Sequence, residues 1–194
     1  MWKGAPVGDF DTQSLQEIWQ GKPMQTLRKQ FANGEMPKGC EICWAAEAAG
    51  YDSKRIVDNR RFAHHKPLQT LDAPVYLDLK LGNICNIKCR ICSSEYSQKW
   101  SSDETLIYGK PRFPTRINWV EGTEFWDNLR EIAHTIEFID FTGGEPFLVK
   151  PHWELLEFLV DNGYSNNISI HYNTNGTVLP KPKQRELWQH FKWV

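Results

Sequence analysis

Val75-Tyr76-Leu77-Asp78-Leu79-Lys80-Leu81, followed at once by Gly82-Asn83-Ile84-Cys85-Asn86-Ile87-Lys88-Cys89-Arg90-Ile91-Cys92, is the stretch on which the fold turns. Its first seven residues alternate apolar with polar or aromatic side chains, the period of a strand. The three cysteines that follow stand at C-x3-C-x2-C spacing, so one short loop can bring three thiolates to one metal centre. Three thiolates on a four-iron cluster leave one iron without a protein ligand, open to a small molecule. Further along, a second strand-like run, 136–141, ends in Thr142-Gly143-Gly144-Glu145-Pro146. Both loops therefore leave the C-terminal end of a strand, the rim on which α/β barrels build their sites.

Working outward, the chain reads as a small, mainly helical, cysteine-containing segment ahead of an α/β region. Residues 11–34 spell two short helices. Leu15, Ile18 and Trp19 share a face behind Ser14 as a cap, and Gly21 ends the first helix. Pro23 suits the first turn of the second, where a missing N–H costs nothing. Met24, Leu27 and Phe31 form its stripe and Gly34 stops it. Cys40-Glu41-Ile42-Cys43 comes next, then a helix over 44–49 with Gly50 as its stop, while 51–72 shows no sustained period and reads as a linker. Beyond residue 73, strands at 75–81, 136–141 and 168–172 alternate with helices at 94–103, from Phe125 to Ala133, at 151–162 and at 183–191. That order predicts parallel strands. Gly109, Pro111 and Pro114 make 105–119 a long loop. The expected division is 1–54, a linker at 55–72, and 73–194.

Composition narrows the class. A chain of 194 residues holds one ordinary domain, or one with a small appendage. Its net charge of −1 offers no bulk electrostatic case for nucleic acid or an anionic membrane. No apolar run reaches transmembrane length, and residues 1–10 lack the apolar core of a secretory signal. Five cysteines, odd in number and grouped as motifs, favour metal binding in a reducing, cytoplasmic setting over a disulfide framework.

The cysteine loop after the first strand and Gly143-Gly144-Glu145-Pro146 after the second together resemble the radical SAM (S-adenosylmethionine) superfamily, across roughly 73–194. The resemblance implies a partial (β/α) barrel, here its first three strand–helix units. It also implies a [4Fe–4S] cluster on Cys85, Cys89 and Cys92, and S-adenosylmethionine chelated by the open iron. An external one-electron reductant would drive cleavage to methionine and a 5′-deoxyadenosyl radical that takes hydrogen from substrate. Gly143, Gly144, Glu145 and Pro146 are expected at the methionine amino group. Ile91 stands at the adenine side, where the family usually has an aromatic residue, and Asn173 and Asn175 stand at the rim after strand three. The text around Cys40 and Cys43 resembles the SPASM/twitch auxiliary-cluster region of radical SAM maturases. It marks a candidate second iron–sulfur cluster and points to a peptide or protein substrate.

Plainer readings stand beside these. The Gly-Gly-Glu-Pro stretch is also an ordinary strand-to-helix turn, and Asn175-Gly176 an ordinary turn pair. Asn83 and Asn86 either donate to cluster sulfurs, fix the loop, or simply form turns. Tyr76 and Asp78 share a strand face, pointing into a barrel or merely packing. A side chain at Gly144 is expected to obstruct the ligand more than the cluster, because glycine lets backbone approach closely. A four-cysteine zinc site on Cys40, Cys43, Cys89 and Cys92 would leave Cys85 idle, and an iron–sulfur electron carrier would need no S-adenosylmethionine. The chain also reads as a partial enzyme: a family core has about six units, only three are visible, and strand three is expected to present an unpaired edge. Weak S-adenosylmethionine cleavage, or none, is the expectation for these residues alone.

Overall fold

The computed structural model describes residues 6–65, 71–117 and 119–194. The chain divides into two compact units, Met1–Ala73 and Pro74–Val194. No helix among the described residues is long and apolar enough to cross a membrane.

The first unit is a set of short helices joined by polar staples. Helix α1 (Leu15–Gln20) begins at a reciprocal capping box: the Glu17 N–H donates to Ser14 Oγ at 3.1 Å, and the Ser14 N–H donates to Glu17 Oε2 at 2.7 Å. Gly21 closes it and opens α2 (Lys22–Ala32), with Pro23 in the first turn as expected. Helix α3 runs over Glu41–Ala48, earlier than the expected 44–49, so Cys40 becomes its N-cap residue and Cys43 lies in its first turn. The stretch read as a linker contains helix α4 (Lys54–Arg61). Its polar text hides the helix, because the signal is a cap: Ser53 Oγ accepts from the Ile56 N–H at 3.2 Å and donates to Glu47. Arg55 then forks onto the same Glu47 carboxylate and lies over the Trp44 ring at 4.6 Å. Residues 66–70 of that expected linker lie outside the described residues.

The second unit is built on strands β1 (Tyr76–Lys80), β2 (Phe138–Thr142) and β3 (Ser169–Tyr172), parallel and in that spatial order. Register sets Asp78 opposite Asp140 and Asp140 opposite His171. Since side chains alternate along a strand, one face carries Tyr76, Asp78, Lys80, Asp140, Thr142 and His171, and the other carries Leu77, Leu79, Ile139, Phe141, Ile170 and Tyr172. The apolar face is the core. Ile139 and Ile170 are fully buried, together with Leu155, Leu156 and Leu159 of α7 (Lys150–Asp161). Phe141 of β2 meets His152 of α7 edge-on at 4.6 Å, and Trp126 of α6 (Thr123–Ile132) meets Phe158 of α7 at 6.4 Å.

Two boundaries differ from expectation. The helix expected at 94–103 is a 3₁₀ turn, Gln98–Trp100, leading into α5 (Ser101–Tyr108), which ends on left-handed Gly109. Residues 93–97 instead form a turn: the Tyr96 and Ser97 N–H groups both donate to the Ser93 carbonyl, and Ser94 is held by Glu104. At the other end, α8 covers Pro182–Leu187 and a 3₁₀ turn follows. The edge of β3 is not bare as expected. Trp193 forms a parallel bridge with Ser169, the Ile170 N–H donates to the Trp193 carbonyl at 2.8 Å, and the Lys192 N–H donates to that of Ile168 at 3.0 Å.

Candidate metal centre

Cys85, Cys89 and Cys92 lie on the loop that leaves β1, all half-buried and none in a disulfide. Burial first, then the neighbouring Cys89 and Cys85 thiols, push the Cys92 thiol up from its ordinary value. A bound cation would offset the cost of ionising that thiol.

The loop is braced from behind by residues its own motif does not reveal. The Cys85 N–H donates to Gln98 Oε1 at 2.7 Å, Ser97 Oγ donates to the Ile87 carbonyl at 2.8 Å, and Trp100 Nε1 donates to the Cys89 carbonyl at 3.1 Å. All three braces come from 97–100. Fully buried Asn83 closes the loop's base: its Nδ2 donates to the carbonyls of Ser94 at 2.8 Å and Pro114 at 3.0 Å, and its Oδ1 accepts from the Ile117 N–H. Of the three roles open to Asn83, fixing the loop is the one this geometry supports. Behind Ser94 stands Glu104, 2 % exposed. Burial alone would raise this acid, but donors from Ser94 and Arg112 outweigh it and hold the carboxyl at about 2.

The second loop packs directly on the first. The Gly144 N–H donates to the Gly82 carbonyl at 3.0 Å and the Glu145 N–H to that of Ile84 at 2.8 Å. A Cβ at Gly144 would overlap the Ile84 carbonyl oxygen, and one at Gly143, whose φ is +99°, would stand 2.8 Å from the Gly82 oxygen. The two glycines thus admit the cysteine loop's own backbone, so a side chain at Gly144, expected to obstruct the ligand more than the cluster, meets the cysteine loop first. Pro146 is buried and opens a short 3₁₀ turn. The Glu145 carboxylate, 1 % exposed, accepts from Thr174 Oγ1 at 2.8 Å and from the Asn175 N–H at 2.9 Å. It is a strut between the loops after β2 and β3.

That third loop completes the rim. Asn175 Nδ2 lies 3.6 Å from Cys85 Sγ and 2.9 Å from Asn86 Oδ1, and Asn86 Nδ2 donates to Thr177 Oγ1 at 2.6 Å. Asn173 turns away to the sheet, donating to Asp140 Oδ1 at 2.9 Å. The same carboxylate receives Tyr76 OH and His171 Nδ1, and Asp78 receives Thr142 Oγ1. Tyr76 and Asp78 therefore belong to a hydrogen-bonded polar face beneath the rim. Ile91, 96 % exposed, projects from the cysteine loop.

A thiolate-held cluster suits this donor set: three thiols on one braced loop, with an amide N–H directed at one sulfur. Cys40 and Cys43 offer two further thiols, joined by the Cys43 N–H donating to the Cys40 carbonyl at 3.0 Å. Burial, then Cys43 and Glu41, raise the Cys40 thiol, while Arg55 acts the other way. Directly after the pair, the Trp44 indole N–H is buried without a hydrogen-bond partner. Two thiols complete neither a zinc nor a cluster site.

Comparison with curated proteins and with solved structures gave no match. Family models did match. Residues 2–44, which include Cys40 and Cys43, match SPASM, an iron–sulfur cluster-binding domain. Residues 79–192, more than half the chain, match the radical SAM superfamily and contain the cysteine loop, the Gly-Gly-Glu-Pro loop and the loop after β3. The match over more than half of the chain shows the family: the chain belongs to the radical SAM superfamily.

Proposed function

We propose that the protein is a radical SAM enzyme in which Cys85, Cys89 and Cys92 hold a [4Fe–4S] cluster with one open iron. The observation that carries the reading is the backbone pairing of the cysteine loop with Gly144 and Glu145, which joins the metal-binding and cofactor-binding motifs into one rim. When bound, the cluster and S-adenosylmethionine supply a 5′-deoxyadenosyl radical, given an electron from an external reductant. The protein's part is position and shelter. Residues 143–146 offer backbone acceptors to the methionine ammonium. Ile91 offers apolar surface to the adenine. Glu145 acts by holding the 174–175 loop against the 143–146 turn, and Asn173 by holding Asp140. The polar face of Tyr76, Asp78, Asp140 and His171 lies under the rim, where a substrate would meet the radical. Cys40 and Cys43 supply two ligands of a second iron–sulfur cluster, within a separate segment spanning about 1–54. With the SPASM match, a peptide or protein side chain is the substrate class we favour.

Anaerobic reconstitution tests this reading. The core is expected to take up about four irons, and single Cys→Ala changes at 85, 89 and 92 to abolish its brown chromophore. Normal core clusters in all three variants would refute it.

A further inference from the structure

Asn175 comes from the loop after β3, 90 residues from Cys85 in sequence, yet its amide is the group that reaches the Cys85 sulfur. Its orientation is fixed by its neighbours. Oδ1 accepts from the Thr177 N–H at 2.9 Å and from Thr177 Oγ1 at 2.6 Å. A backbone N–H can only donate, so the oxygen must lie on that side and the NH2 on the other. There Nδ2 meets Cys85 Sγ at 3.6 Å and Asn86 Oδ1 at 2.9 Å. The residue's own N–H is held by Glu145 Oε2 at 2.9 Å, and Thr177 Oγ1 also receives Asn86 Nδ2 at 2.6 Å. The residue is tied to the cysteine loop, the Gly-Gly-Glu-Pro loop and its own turn.

We infer that Asn175 is a positioning residue toward the core cluster, donating a side-chain N–H hydrogen bond to the Cys85 ligand sulfur and thereby setting the cluster's reduction potential. The inference rests on the reading of Cys85 as a ligand. A hydrogen bond draws charge from a ligand thiolate. Reduction adds an electron to the cluster, so the reduced form gains more from that bond than the oxidised form does. The bond therefore raises the potential, and its loss lowers it. The Asn86 amide, for which the sequence left sulfur donation open, donates to Thr177 Oγ1, and its Oδ1 accepts from Asn175 Nδ2.

The test is a redox titration of the reconstituted full chain, followed by electron paramagnetic resonance without S-adenosylmethionine. Asn175→Asp keeps the oxygen that Thr177 needs and removes the donor; Asn175→Leu removes both without adding charge. Both are expected to load iron as the wild type does and to titrate at more negative potentials. Loaded variants at the wild-type potential would overturn the inference while leaving the cluster reading intact. A wild-type chain that takes up no core cluster would instead sink that reading. A measurement on the wild type covers variants that fail to load: with side-chain ¹⁵N-asparagine, the reduced cluster should show a nitrogen coupling in electron–nuclear double resonance. No such coupling overturns the inference.

Discussion

A methyl group at residue 144 has nowhere to go. It would sit on the Ile84 carbonyl oxygen, in the backbone that leads into Cys85. Gly144→Ala should therefore cost the protein its core iron as well as its cofactor affinity. Iron analysis after reconstitution checks this; a variant with full core iron and only weakened S-adenosylmethionine binding would return Gly144 to a purely ligand-facing role. Glu104 makes a second case. Its carboxyl, held at about 2 against an ordinary 4.5, contributes stability that is fully present above about pH 4.5 and drains away as pH falls toward 2. Glu104→Gln should flatten that part of the pH–stability curve and loosen the 83–94 loop, read as faster hydrogen exchange there. An unchanged curve would mean that the buried carboxylate does not brace the loop.

Helix α7 ties the sheet to the rim through one histidine. His152 is fully buried, its Nε2 lies 2.9 Å from Tyr172 OH, and Trp188 Nε1 donates to the same hydroxyl at 3.0 Å. Burial lowers its pKa from 6.5 to about 3, so the ring is neutral in the fold but protonates readily once unfolded. Stability is thus unaffected above pH 6.5 and falls below it, by up to about 1.4 kcal/mol per pH unit. Denaturant titrations should show that slope in the wild type and its loss in His152→Phe. Fully buried Leu156, on the same helix, should cost about 2–5 kcal/mol when cut to alanine. These elements were largely legible in the sequence. All three strands fell within two residues of their expected starts, because alternation and helical spacing are local signals. What escaped was non-local. No helix runs through 94–97 into the 3₁₀ turn at Gln98–Trp100, since the Gln98 N–H is taken by the Asn83 carbonyl, fifteen residues back. Helix α4 escaped because its polar text carries no apolar stripe and its start is marked only by the Ser53 cap, and Glu145 became a strut through Thr174, 29 residues away. The cysteine and glycine motifs announced the site; their bracing did not.

Across the whole molecule, the four α-helices described in the first unit bury no residue, and Ser14, Glu47 and Ser53 make staples there. The second has a continuous apolar core under β2 and β3. Their metal sites should accordingly separate: changing Cys40 and Cys43 together to alanine is expected to lower total iron while sparing the core signal, and equal iron before and after would make the pair free thiols. The central claim is narrower, that the cluster on Cys85, Cys89 and Cys92 has an iron open to S-adenosylmethionine. Electron paramagnetic resonance of the reconstituted, reduced protein, in a Cys40→Ala, Cys43→Ala background, tests it most directly. Adding S-adenosylmethionine should change the core cluster's spectrum, because the methionine amino and carboxylate groups become ligands to that iron. A spectrum identical with and without S-adenosylmethionine, from a fully loaded core, would contradict the account.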